Sequence, residues 1–158
     1  MFEYRARILR VVDGDTVDVD IDLGFGMSYI KQRVRMLGID TPESRTRDLT
    51  EKQFGMLSKY YVEDRLIVGE VYKLKTTLDK GKYGRILGEF FITQNEGHSH
   101  FEIEFNLNKE MIKDGYGVAY YGQSKDAIED EHLKNRKRLI KEGIDLPAIV
   151  KGKVIKRK

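Results

Sequence analysis

Cysteine is absent from the 158-residue chain, which excludes a disulfide framework and a thiolate zinc site alike. Histidine is scarce, with three residues. His98 and His100 lie close together in sequence, but without cysteine, and with His132 the remaining histidine, they do not read as a zinc set. No apolar run approaches the ~18 residues of a membrane span, so no membrane contact is expected. The opening Met1-Phe2-Glu3-Tyr4-Arg5 lacks the apolar region of a signal peptide, and the expected location is the cytoplasm, or outside the cell had a leader preceded it. Internal repeats and low-complexity segments are missing too.

What is present suits one folded domain with a real core: 40% hydrophobic and 35% charged residues at a single-domain length. The net charge of +3 is unevenly spread. From Leu133 onward Lys and Arg dominate, with Glu142 and Asp145 the only acids. That end fits a polyanionic partner; it fits equally a solubilising helix face followed by a disordered tail. The expected division is a domain over 1–146 and a basic tail over 147–158.

Val17, Val19, Ile21 and Leu23 alternate with Asp18, Asp20 and Asp22, the period of a half-buried strand. Tyr4 to Val12 reads as the start of the same long, curled strand. Gly24-Phe25-Gly26 turns the chain, and Tyr29 to Ile39 returns it. Thr50-Glu51-Lys52-Gln53 reads as a capping box for a helix carrying Phe54, Leu57 and Tyr61 inward and closed by Gly69. Strands follow over Val71–Leu78, Arg85–Thr93 and Phe101–Phe105, with Lys80 to Gly84 as a turn. A short helix capped by Asn106 or Asn108 ends at Gly115. A last helix runs from about Ser124–Asp126 to Gly143 with Ile128, His132, Leu139 and Ile140 inward, His132 as a packing residue. Five strands with a helix between the third and fourth is the connectivity of an OB-like barrel.

Within this frame Arg33 to Glu43 stands out. Val34, Met36, Leu37 and Ile39 suit a core strand, yet Arg35 interrupts them, and a buried arginine costs several kcal/mol or so unless an anion meets it. Pro42 stops the strand, and Asp40 and Glu43 flank the stop. A metal ion and a phosphate suit that pattern better than packing alone. Three further pieces carry chemistry: Asp13-Gly14-Asp15-Thr16, at a kink in the first strand; Lys82-Tyr83-Gly84-Arg85; and Tyr116 to Tyr121. An EF-hand is excluded, because from Asp13 its sixth position is Asp18 and its twelfth Gly24.

Together these pieces resemble the staphylococcal nuclease (thermonuclease) family. The matching signatures are Val12-Asp13-Gly14-Asp15-Thr16, Arg35 through Asp40-Thr41-Pro42-Glu43, Lys82-Tyr83-Gly84-Arg85, Leu107-Asn108, Gly115 to Tyr120 and His132-Leu133, in family order over roughly Tyr4 to Asp145. The resemblance implies a mainly β, α+β fold: a five-stranded OB-fold barrel with three helices. It also implies one bound Ca²⁺, held by Asp15, Asp40 and the Thr41 carbonyl, all hard oxygen donors. Arg35 and Arg85 would hold the scissile phosphate, and Glu43 would take a proton from the attacking water or orient it. Lys82, Tyr83, Tyr120 and Tyr121 would bind the nucleotide, by charge and by sequence-tolerant stacking.

The implied activity is Ca²⁺-dependent hydrolysis of DNA and RNA to 3′-phosphate products. Single strands are the expected substrate, with duplex DNA a further possibility, and a monomer is the expected state. A non-catalytic nucleic-acid-binding module on the same fold, and a protein-interaction barrel, are the competing readings. The chain departs from the family pattern in three places: Gly122 replaces an expected second tyrosine, the segment Ser44 to Thr50 is short, and Asn95 to His100 reads as an insertion.

Overall fold

Valines 17 and 19 are fully buried and Asp18 and Asp20 are not, so the period-two pattern does place one strand face in the core. The strand it builds is shorter than expected. In the computed structural model, which describes residues 1–95 and 102–157, β1 (Phe2–Asp13) and β2 (Thr16–Gly24) are separate strands. They form an antiparallel hairpin in which Asp13 pairs with Thr16. Asp13-Gly14-Asp15-Thr16 is therefore the tight turn of a hairpin, not a kink in one long strand. An Asp-Gly pair between alternating runs is a hairpin signal. Leu23, expected inward, is exposed, because β2 has by then run past the core toward the Gly24–Gly26 turn.

The returning strand also breaks earlier than expected. β3 (Met27–Met36) ends before Gly38, whose left-handed backbone (φ 75°) redirects the chain into a separate two-residue strand, β4 (Ile39–Asp40). Both pieces bury apolar side chains, so the hydrophobic run alone conceals the corner. α1 (Leu49–Glu63) follows. Its N-cap is Asp48, whose carboxylate accepts from the N–H groups of Thr50 and Glu51 at 3.1 and 3.2 Å, so the cap lies upstream of the expected Thr50 box. The helix ends at Glu63, six residues before Gly69, which instead turns the chain toward β5 (Val71–Thr76).

A short 3₁₀ turn (Lys82–Gly84) leads to β6 (Ile86–Asn95), then come β7 (Glu102–Asn106) and α2 (Leu107–Asp114). The insertion expected over Asn95 to His100, with His98 and His100, lies outside the described residues from 96 onward. β8 (Val118–Ala119) pairs with β4, and α3 (Lys125–Lys141) is capped by Ser124. His132 and Leu139 on α3 are buried, but Ile140, expected inward, is 58% exposed. Residues 148–157 stay on the body of the protein. β9 (Ile149–Val150) and β10 (Lys153–Val154) make a hairpin with Val154 buried. Arg157 binds Asp64 of the α1 C-cap at 2.8 and 3.2 Å.

The main sheet runs β3-β2-β1-β5-β6-β7. A parallel pairing of β3 with β6 (Val34 to Ile86, Arg35 to Leu87, Met36 to Gly88) curls the sheet back on itself, giving the OB-like architecture with α1 between the third and fourth barrel strands. Its core holds Ile8, Val17, Val34, Leu74, Phe90, Leu107 and Met111. No helix among the described residues is long and apolar enough to cross a membrane.

Asn108 locks α2 to that seam. Its buried side-chain amide donates to the carbonyls of Leu37 and Gly88 at 2.9 and 3.1 Å and accepts from the Phe90 N–H at 3.3 Å. Asn108 itself is buried, so losing the amide removes this partner from the Phe90 N–H and the Leu37 carbonyl, while the Gly88 carbonyl keeps the Leu37 N–H at 2.8 Å. Asn108→Ala should lower stability by about 2–4 kcal/mol, seen as a lower urea midpoint at unchanged m-value.

Candidate active site

The β1–β2 turn, the β3–β4 corner and α1 meet at one end of the barrel. Two glycines permit the approach. A side-chain carbon at Gly14 would lie 2.7 Å from Ser58 of α1 and 3.0 Å from the Thr41 hydroxyl. One at Gly55 of α1 would lie 2.5 Å from the main-chain carbonyl group of Glu43. Glycine here serves closeness of backbone, since neither position takes a positive φ. The turn following β4 is thus laid directly on a helix surface.

Asp15 is held on both oxygens. Oδ1 accepts from the Thr16 hydroxyl at 2.9 Å, and Oδ2 accepts from the Thr41 N–H at 3.2 Å. Arg35, only 17% exposed along its side chain, points to the same place. Its Nη1 donates to the carbonyls of Met36 and Ile39 at 3.0 and 2.8 Å. Its Nη2 lies 3.3 Å from Asp15 Oδ2 and 3.5 Å from Asp40 Oδ1. The awkward cation of the sequence is met by two carboxylates and two carbonyls.

A cleft of about 550 Å³ opens there, lined by Arg35, Asp40, Thr41, Glu43, Arg85 and Tyr120 among others. Asp15 stands beside it through Arg35. The buried Nε of Arg85 and the Thr41 hydroxyl have no hydrogen-bond partner among the described residues. Tyr121 lies apart. It is 80% exposed, with its N–H turned to Gln123, and it does not line the cleft. Tyr83 stands on a neighbouring groove, its ring centroid 5.5 Å from the Arg85 guanidinium carbon. Lys82 opens the 3₁₀ turn; its side chain lies outside what is described.

His132 is the residue whose place sequence reasoning missed. It is buried on α3, but it is more than packing: its Nε2 sits 2.7 Å from Asp40 Oδ2. That contact joins residues 92 apart in sequence, and no spacing rule announces it. Asp40 is thereby gripped on one oxygen by His132 while the other faces Arg35.

Acids outnumber cations at this end of the barrel. Burial raises the Asp13 carboxyl above its ordinary pKa, against the lowering effect of a hydrogen bond with Ser44, and Asp15 adds to the rise. Partial desolvation, then repulsion from Asp13, Asp15, Asp40 and Glu51, raises Glu43 as well. Negative charge is therefore crowded where Glu43 stands, and a cation would relieve it.

Gly55→Ala should lose more by collision with the Glu43 backbone than the ~1 kcal/mol it gains in helix propensity. A net loss of about 1–3 kcal/mol is expected in chemical denaturation. For Glu43 the folded state holds its proton more tightly than the unfolded chain, so ionisation opposes folding as pH rises through the raised pKa. Glu43→Gln should raise the melting temperature at pH 7 by about 1–3 °C, a modest figure because the carboxylate is exposed and screened. The gain should vanish below about pH 4, where both forms are uncharged; thermal melts across that range check it.

The sequence is similar to those of several known proteins. The chain is 29% identical over 140 residues to a micrococcal nuclease of Shigella flexneri, covering 86% of this chain and 71% of that protein. It is 32% identical over 119 residues to a thermonuclease of Staphylococcus hyicus, covering 75% and 61%. It is also 31% identical over 154 residues to an uncharacterized protein of Methanocaldococcus jannaschii, covering 82% of this chain and 65% of that one. Several of these relatives are longer: the chain spans 65% of the archaeal protein and 48% of an uncharacterized Bacillus anthracis protein. The family described as staphylococcal nuclease homologue matches residues 33–144, which takes in the β3–β4 corner, Arg85, Tyr120 and His132 but not Asp15. With most of its length matched, this chain belongs to the staphylococcal nuclease homologues.

Proposed function

We propose that this protein is a calcium-dependent nuclease whose domain spans residues 1–146. It would hydrolyse phosphodiester bonds of single-stranded DNA and RNA to 3′-phosphate products. The observation that carries the reading is the meeting, around one cleft, of two arginines, two aspartates and a glutamate from distant parts of the chain. Family membership and the nuclease names of several relatives support it.

The donor chemistry suits a hard divalent cation. Asp15 and Asp40 converge on a single Arg35 nitrogen, and the surrounding acids are crowded enough to raise Glu43. Among the described residues no three Asp, Glu, His or Cys side chains form a metal-holding group. As the family resemblance implies, calcium would take Asp15, Asp40 and the Thr41 carbonyl, with water and substrate completing a shell that calcium tolerates. When bound, the ion supplies positive charge that polarises the phosphoryl oxygen.

The protein's own residues would do the rest. Arg85, with its unpartnered Nε, and Arg35 present guanidinium donors to the phosphate oxygens, where negative charge grows as phosphorus becomes five-coordinate. Arg35 would release its contacts with Asp15 and Asp40 in part as the phosphate arrives. Glu43, exposed and with a raised pKa, would accept the proton of the attacking water or fix that water by a hydrogen bond. Tyr120 at the rim offers a ring to a base, which favours unpaired strands with little sequence preference.

Incubation of single-stranded DNA with the protein in Ca²⁺, in Mg²⁺ and in chelator tests this. Cleavage should require Ca²⁺ and leave 3′-phosphate ends. Arg35→Ala, Arg85→Ala and Glu43→Gln should each lower the rate roughly 10²–10³-fold. Binding without turnover in Ca²⁺, or undiminished turnover in Glu43→Gln, would overturn the proposal.

A further inference from the structure

A second groove, of about 620 Å³, adjoins the candidate active cleft, and Arg85 lines both. Besides Arg85 it is lined by Arg10 of β1, Lys31 and Arg33 of β3, and the Tyr83 ring. One acid, Asp18, stands among these cations, and it is engaged: Arg33 Nε and Nη2 bind its two oxygens at 2.9 and 3.1 Å. Among the described residues neither Arg10 nor Lys31 has an acidic partner within 4.0 Å. Both are exposed.

Lys31 reaches the groove by a local device. The β2–β3 register slips between the pairs Val19–Gln32 and Ile21–Tyr29, so β3 carries an extra residue opposite Asp20. Within that bulge Lys31 takes a left-handed backbone (φ 52°), fixed by its N–H donating to Asp20 Oδ1 at 2.8 Å. Bulges of this kind re-aim a side chain beside an active site. Tyr83, which lines the same groove, is also left-handed (φ 68°). Two non-glycine residues in that conformation, both facing one basic groove, mark it as more than a surface crease.

We infer that this groove is a backbone track for the nucleic-acid strand, in which Arg10 and Lys31 take phosphodiesters beyond the one gripped by Arg35 and Arg85. The substrate is then a single-stranded polynucleotide that runs from the cleft across Arg85 and Tyr83 into the groove. Recognition is of phosphate and of a stacking base face, and therefore indifferent to sequence. This rests on the proposed nuclease reading for the position of the scissile phosphate, but it concerns binding and can be tested without turnover.

Fluorescence anisotropy with 12-nucleotide single strands, one of DNA and one of RNA, in chelator, measures it. The variant is Arg10→Gln with Lys31→Gly; glycine accepts the left-handed backbone, and both side chains are exposed, so the fold should survive, as circular dichroism melts will show. The control, Lys109→Gln with Lys113→Gln on α2, removes the same charge elsewhere. The groove variant should bind both strands on the order of tenfold more weakly at low salt. Its log–log salt slope should be shallower by about 1.4, the value for two lost phosphate contacts on a single strand. The control should change binding less than twofold or so. No binding by the parent protein, equal losses in variant and control, or a loss confined to one of the two nucleic acids would overturn the track. Loss of turnover in Ca²⁺ with this pattern intact would instead count against the nuclease reading alone.

Discussion

The guanidinium of Arg35 is the fixture on which this end of the molecule depends. Its backbone lies at the barrel seam, paired with Thr16 of β2 on one side and Leu87 of β6 on the other. Its side chain ties the carbonyls of Met36 and Ile39 across the β3–β4 corner. The same group meets Asp15 from the first hairpin and Asp40 from the corner. A buried cation without these partners would be prohibitively unfavourable, and two carboxylates so close together would repel without it. Each half of the cluster makes the other tolerable. The pairing of β3 with β6 and the assembly of the cleft meet at this one residue.

The surrounding structure serves that arrangement. α1 comes close through Gly55, so the turn bearing Glu43 rests on the helix with no side chain between them. α3 supplies His132 to the far oxygen of Asp40, and α2, through Asn108, holds the main chain at Leu37, just past β3, and at Gly88 of β6. Three helices from separate parts of the chain thus brace a cluster formed by strands. Rigid bracing of this kind is what an electrostatic site needs, because charges aimed in advance lose nothing to reorganisation when charge develops on a substrate.

Much of this was legible in the order of residues. The alternation of β2 placed Val17, Val19 and Ile21 inward, and Phe54, Leu57 and Tyr61 on α1 fell where helical spacing put them. Arg35 announced itself by interrupting an apolar run. What misled were places where one local signal served two structures. The hydrophobic run from Val34 to Ile39 continues through a corner because both sides of the corner are buried. Asp13-Gly14-Asp15-Thr16 has the composition of a turn, yet the apolar pattern on either side reads as one uninterrupted strand. Thr50 makes a plausible cap, but Asp48 reaches the helix N–H groups first.

By itself the sequence determined the period of each element, the identity of the donors and the presence of a buried cation needing anions. Those properties are local: they follow from side-chain chemistry and from spacing along a few turns of chain. Only the tertiary structure decided which acids meet Arg35 and that His132 holds Asp40. It also decided that Gly55 is there for the Glu43 backbone, and that Arg85 borders two grooves rather than one. These are distances between residues far apart in the chain, set by how the curled sheet brings β3 beside β6, and no local pattern encodes them.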